Sequence, residues 1–193
     1  MDTTLEVENL HVSFHTYAGE VKAVRDVSFH VNSGETLAFV GESGCGKTVT
    51  AKAMMRLLKQ PPAEIKPESR ILAGGENVLK MGKRRLQQYR GGDVAMIFQD
   101  PMTSLNPTTT CGAQIAESIL LHKRISKRDA WHEATEMLEK VQMPDAVKRA
   151  KQFPHELSGG MRQRVMIAIA LACWLMHPQA PAVEPLYQRG IDA

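Results

Sequence analysis

"FVGESGCGKTVTAK", residues 39–52, decides the fold. Gly41, Gly46, Lys47 and Thr48 stand in the spacing G-x-x-x-x-G-K-[ST]. In that pattern backbone N–H groups of a tight loop converge on a phosphate. Glycine is needed where a side chain would block the approach or where φ is positive. The lysine reaches the β/γ-phosphates and the threonine hydroxyl ligates Mg2+, while the open N-terminus of the next helix adds attraction for an anion. The bland alternative is a glycine-rich turn, and the flanks speak against it. Residues 36–40, "TLAFV", are an unbroken apolar run that predicts a strand buried on both faces. Downstream, Ala51, Met54, Met55 and Leu58 fall at i, i+3, i+4 and i+7, one helix face that Pro61 and Pro62 end. Cys45 lies inside the loop. It is either a thiol activated by the helix N-terminus or a small residue giving only its N–H, and the backbone character of such loops favours the second.

Outward from the loop, the 193 residues suit one domain or one domain with a small insert. Aromatics make up only 5%, so the core rests on aliphatic side chains and 11 methionines. A net charge of +3 does not choose between an anionic ligand, nucleic acid and a membrane surface. Cys45, Cys111 and Cys173 show neither metal spacing nor a disulfide framework, which reads as a reducing cytosol. The acid-bearing start "MDTTLEVENL" reads as no secretory leader. The longest apolar run, residues 165–176, is too short to span a bilayer and predicts a buried helix.

The first forty residues read as strands. Val27, Phe29 and Val31 alternate with Ser28 and His30, a half-buried strand, and "NSGE" (32–35) reads as a turn. Residues 63–90 are weakly patterned and basic, read as surface connections. "VAMIF" (94–98) is a second apolar run expected to be a buried strand, followed by a proline-punctuated loop. From Cys111 the period becomes helical. Ser126 with Asp129 three residues on makes a capping-box-like start. Ala130, Trp131, Ala134, Met137, Leu138 and Val141 then form one stripe, read as core packing.

A phosphate loop alone leaves kinases, GTPases, helicases and transporters open. "HELSGGMRQR", residues 155–164, narrows this. A serine N-cap followed by two glycines opens a helix N-terminus, a second anion site distant in sequence from the first. Alone, "SGG" would read as a simple cap. Together, "GESGCGKT", "IFQDPMTSLNP" and "LSGGMRQR" resemble, in order, the P-loop, Q-loop and signature of the ATP-binding subunit of ABC transporters. The likeness covers about residues 5–173. "AVRDVSF", "GETLAFVGESG" and Met161 look most like the branch importing dipeptides, oligopeptides or glutathione.

The resemblance implies an α/β P-loop NTPase of the ABC-ATPase fold, with an N-terminal antiparallel β subdomain and a helical insert. By the same likeness, residues 1–98 form the β subdomain and P-loop core, and residues 99–173 the Q-loop and helical subdomain. Residues 174–193 are a tail outside the family pattern. ATP and Mg2+ are the implied ligands. Nucleotide contacts would come from Phe14 (with Tyr17 as the alternative base-stacking aromatic), Gly41, Glu42, Ser43, Gly44, Cys45, Gly46, Lys47, Thr48 and Val49. Lys47 and Gln99 would serve catalysis, and Thr48 and Gln99 the metal. Two subunits meet head to tail in the family, so Leu157, Ser158, Gly159, Gly160 and Met161 would touch ATP bound on a partner. Implied partners are a second ATPase subunit, transmembrane permease subunits facing a loop with Met102 and Leu105, and indirectly a solute-binding protein. The implied place is peripheral, on the cytoplasmic face of the inner (plasma) membrane, or the cytosol if the subunit is unassembled. No basic stretch with interleaved aromatics points to nucleic acid.

The likeness stops after the signature helix. The family there needs four apolar residues followed by Asp-Glu, then a switch histidine; this chain reads "CWLMHPQAPAVEPLYQRGIDA". Pro178, Pro181 and Pro185 rule against a central strand around Glu184. Neither His177 nor Asp192 fits the missing roles. The expected fold therefore lacks the C-terminal part of its core, as a truncated or frame-shifted product would, and sequencing the coding DNA beyond codon 173 tests this. Two functions remain open: a transport ATPase subunit with negligible turnover, and a non-enzymatic nucleotide-binding fragment that pairs with an intact subunit. A soluble ABC ATPase of DNA repair or translation fits the Q-loop segment less well.

Overall fold

The computed structural model describes residues 3–100 and 104–174. The chain divides into two compact units, Met1–Leu86 and Gln87–Ala193.

In the first unit, β1 (Thr3–Thr16) and β2 (Gly19–Asn32) form a long antiparallel hairpin. The free edge of β1 pairs with β3 (Ala63–Ile65) and with β4 (Arg70–Ala73), and β4 pairs with β5 (Glu76–Asn77). Val7, Leu10, Val12 and Ile71 are fully buried. Val7 and Leu10 share the core although a strict two-residue period would place them on opposite faces. The ladder explains it. From the pair Val7–Phe29 to the pair Leu10–Val27, β1 gains a residue at Asn9, which has φ 48°. From there to Val12–Val24, β2 gains one at Asp26, which has φ 51°. Two bulges, each built on a side chain that tolerates left-handed backbone, cancel in register and re-aim the strand. The half-burial of Val27, Phe29 and Val31 and the turn at 32–35 are as read from the sequence, with Glu35 N–H donating to Asn32 O at 3.1 Å. The basic stretch read as surface connections instead contributes β3, β4, β5 and α2 (Lys83–Tyr89). Each strand is too short to register as a period, yet β1 recruits them.

Helix α1 (Lys47–Met54) leaves the phosphate loop and ends earlier than the prolines indicate. Arg56 takes φ 51°, its N–H donates to Ala53 O at 2.9 Å, and Leu57 N–H donates to Lys52 O at 2.8 Å. This is a Schellman end built on arginine instead of glycine. The guanidinium then donates to Met81 O at 2.7 Å and Val78 O at 3.3 Å. Ending there, the helix buries Thr50 and Ala53; of the expected face only Met55 is buried, while Ala51, Met54 and Leu58 are half-buried.

The two apolar runs expected as buried strands are not strands. Among the described residues, 36–40 have no ladder partner, and 94–98 have only the bridge Arg90–Val94. Val40 is 93% exposed and Ile97 48%. Apolar composition makes a strand only when a neighbour takes its backbone N–H and C=O groups. Phe39 packs edge-to-face on Phe29 at 5.1 Å between ring centroids.

The second unit is helical: α3 (Cys111–His122), α4 (Lys127–Lys140), α5 (Ala146–Ala150) and α6 (Gly159–Trp174). Its core joins Ile115 and Ile119 of α3, Ala130, Ala134 and Leu138 of α4, Ala150, and Val165 and Ala168 of α6. The stripe read on α4 is buried as expected except for Trp131, which packs half-buried against the core. Gly112 allows α3 to close on α5: a Cβ there would lie 2.8 Å from Ala150 Cβ. Ser126 caps α4, accepting the Asp129 N–H at 3.1 Å. Asp129 takes the Ser126 hydroxyl at 2.7 Å instead of reaching back to the N-cap N–H, so the box closes side chain to side chain. The tail beyond Trp174, with His177, Glu184 and Asp192, lies outside the described residues, as does Met102.

Candidate functional site: a glycine-built phosphate cradle

The cradle is exposed from Gly41 to Cys45 and then descends into α1. Gly44 (φ 86°) and Gly46 (φ 94°) hold left-handed backbone. Gly46 has a second reason to lack a side chain: a Cβ would come 2.6 Å from Ala23 O. The loop thus rests directly on β2. Gly46 O accepts the Thr50 N–H at 2.8 Å and starts the helix, leaving the first-turn N–H groups open. Lys47 Nζ curls over the loop and donates to Gly41 O at 2.5 Å and Glu42 O at 2.7 Å, with Cys45 Sγ 3.4 Å away. An ammonium held by two carbonyls and a thiol at the loop mouth is placed to exchange them for phosphate oxygens. The Thr48 side chain is exposed at the start of α1.

Phe14 lies on β1 of the same unit, half-buried between Val21 on β2 and Ala63 on β3. Tyr17 stands at the hairpin turn, fully exposed.

The signature lies in the second unit. Leu157 is buried and anchors the segment. Ser158 caps α6: its O accepts the Arg162 N–H at 2.9 Å, and its Oγ accepts the Met161 N–H at a loose 3.4 Å. Gly159 and Gly160 are exposed, with nothing within 4 Å of where a Cβ would sit. Before the cap, Glu156 accepts the Phe153 N–H at 2.7 Å. Along the helix, Arg164 donates to Val141 O at 2.8 Å and Gln142 O at 2.6 Å, closing the end of α4.

Gln99 sits exposed at a bend and not at a strand end, because the strand expected before it is absent among the described residues. Leu105, expected to face a membrane partner, is instead 4% exposed in the helical core. Gln114 fixes the loop there, accepting the Asn106 N–H and donating to Asn106 O and Thr109 O, each at 2.9 Å. Sequence reading missed Gln114, since a polar residue on a helix gives no signal of its own. Burial pushes the Cys111 thiol up to about 11, which suits a packing residue.

A glycine loop that leads from a β unit into a helix, and a serine-capped double-glycine helix start in an α unit, define a P-loop nucleotide-binding protein. The comparisons carry this one step further. The family model described as "ABC transporter" matches residues 24–174, and the chain belongs to that family. It is 54% identical over 168 residues to the oligopeptide transport ATP-binding protein OppD of Bacillus subtilis (strain 168), covering 87% of this chain and 47% of the relative. It is 52% identical over 173 residues to the dipeptide transport ATP-binding protein DppD of the same organism, covering 90% and 51%. To the glutathione import ATP-binding protein GsiA of Salmonella choleraesuis (strain SC-B67) it is 49% identical, covering 88% and 28%. The chain thus spans about half the length of the first two relatives. Its fold is similar to that of the ATP-binding cassette MJ0796 in a dimeric structure with ADP and Pi. The TM-score is 0.76 at 23% identity, covering 88% of this chain and 69% of that one. Among the described residues no helix is long and apolar enough to cross a membrane.

Proposed function

We propose that this chain is the nucleotide-binding part of an ATP-binding subunit of a peptide-type ABC importer. The observation that carries the reading is the cradle: two left-handed glycines, the Lys47 ammonium on loop carbonyls, and an open helix start immediately after. ATP with Mg2+ is its ligand. Gly41 to Val49 hold the phosphates, Lys47 meets the β/γ end, Thr48 and Gln99 serve the metal, and Phe14 stacks on the base. Mg2+, when bound, neutralises phosphate charge that Lys47 alone leaves. Leu157 to Met161 present the α6 N-terminus to a nucleotide held by a second ATPase subunit. Permease subunits at the cytoplasmic membrane face, and through them a solute-binding protein, complete the assembly; nucleic acid has no part. The names of the relatives support peptides as the cargo class.

Within these 193 residues no apolar run ending in Asp-Glu follows α6. A general base contributes about 10²–10⁴-fold, so this polypeptide by itself binds ATP and turns it over negligibly. Titration calorimetry with Mg-ATP tests this. Binding is expected for the wild type and a loss of at least about tenfold for Lys47→Ala, the scale of one charge-assisted contact. Equal affinity of the two would sink the cradle reading. Phosphate release by the wild type that Lys47→Ala abolishes would overturn the turnover claim. The open helix start at Ser158 to Gly160 favours a second reading, a non-enzymatic nucleotide-binding chain that pairs with an intact ATPase subunit, which co-purification with one would reveal.

A further inference from the structure

We propose that Lys66 is a positioning residue for the nucleobase end of the site, clamping β1, β2 and β3 behind Phe14. This rests on the ATP-binding reading above, with Phe14 at the base.

Phe14 lies opposite Val21 on β2 and Ala63 on β3. Side chains alternate along a strand, so these three share one face of the sheet, and Ser13, His15, Glu20 and Glu64 share the other. On that second face Lys66 Nζ lies 3.0 Å from Glu20 Oε1 and 2.7 Å from Glu64 Oε2. The same Glu64 oxygen meets His15 Nε2 at 2.7 Å. One ammonium therefore ties β2 to β3, and Glu64 ties back to β1 at His15, the neighbour of Phe14. Donor atoms of His15, Glu20 and Glu64 fall within 4.8 Å of one another, a spacing that would seat a cation. The cation seated there is the Lys66 ammonium.

The same hairpin carries the other end of the site. Gly46 rests on Ala23 and Val24, two and three residues along β2 from Val21. At about 3.4 Å per residue, the partner of Phe14 lies roughly 7–10 Å from the cradle, the order of the span from phosphate to base in a nucleotide. Loosening the clamp shifts the aromatic and leaves the cradle untouched. Exposed ion pairs contribute little to global stability, so the effect is local.

Inorganic triphosphate separates the two ends, because it engages the cradle and has no base. Calorimetric titration of ATP and of triphosphate into the wild type, Lys66→Met, Lys66→Arg and Phe14→Ala tests the clamp. The wild type is expected to bind ATP more tightly than triphosphate. Phe14→Ala loses about tenfold in ATP affinity, the scale of one stacked base. Lys66→Met loses about threefold, the scale of a surface ion pair. Both leave triphosphate affinity unchanged, Lys66→Arg binds ATP like the wild type, and the double variant binds no more weakly than Phe14→Ala alone. Lys66→Met with wild-type ATP affinity, or with ATP and triphosphate weakened alike, overturns the clamp. So does a wild type that binds the two ligands equally. A wild type that binds neither defeats the ATP-binding reading itself, and the clamp falls with it.

Discussion

Gly46 answers to two demands at once, a left-handed φ of 94° and a contact that leaves no room for a methyl group. Gly44 answers only to the first: its φ is 86°, with nothing within 4 Å of where a Cβ would sit. The two therefore separate strain from clash. Gly44→Ala is expected to cost about 1–2 kcal/mol, the penalty of left-handed backbone. Gly46→Ala costs more and also lifts the loop from β2, reducing Mg-ATP affinity at least about tenfold. Thermal melts and ATP titrations of both variants check this; equal behaviour of the two would refute it. The motif made Gly46 legible in the sequence, because its spacing encodes a backbone shape, whereas Gly44 falls at a position the motif leaves open. It did not reveal that Ala23 O is what forbids a side chain at position 46, since that neighbour comes from another strand.

Helix α4 and residues 36–40 mark what a sequence discloses about an element. For α4, the cap and the stripe are both written in consecutive residues, although the helix gains its stability by packing that stripe on its neighbours. Ser126→Ala is expected to lower stability by about 1 kcal/mol, the usual worth of a serine cap, read as a shift in the urea midpoint at constant slope. An unchanged midpoint would mean the cap contributes nothing. Residues 36–40 carry an equally clear apolar signal, yet form no strand among the described residues. Hydropathy states what a segment would gain by burial; it does not state which neighbour supplies the ladder. The early end of α1 was hidden for a related reason. The sequence offers no glycine there, and Arg56 takes the left-handed position because carbonyls at Val78 and Met81 hold its guanidinium.

At the scale of the whole molecule, the antiparallel β unit, the helical unit and the order of motifs were readable, while the small strands recruited by β1 were not. pH tests how the β unit is tied together. The Ser13 hydrogen bond and Lys66 hold the Glu20 carboxyl below its ordinary 4.5, and Lys66 with His15 does the same for Glu64. Both carboxylates in turn raise Lys66 above its ordinary 10.5. The glutamates' contribution is present above pH 4.5 and is lost as pH falls through their lower folded values, because the unfolded chain binds more protons there. The lysine's contribution is present below pH 10.5 and is lost as pH rises through its higher folded value. Melting temperature followed against pH should show two small shoulders in the wild type; in Lys66→Met the alkaline one is lost and the acid one is only reduced, because Ser13 and His15 still favour the carboxylates; coincident profiles would contradict this. Arg56 carries a different consequence. Glycine would suit its backbone but forfeit both side-chain bonds to the 78–81 turn, and lysine would keep the charge but not the fork. No single replacement satisfies both needs, so in evolutionary terms position 56 is a local optimum from which every one-step path leads downhill.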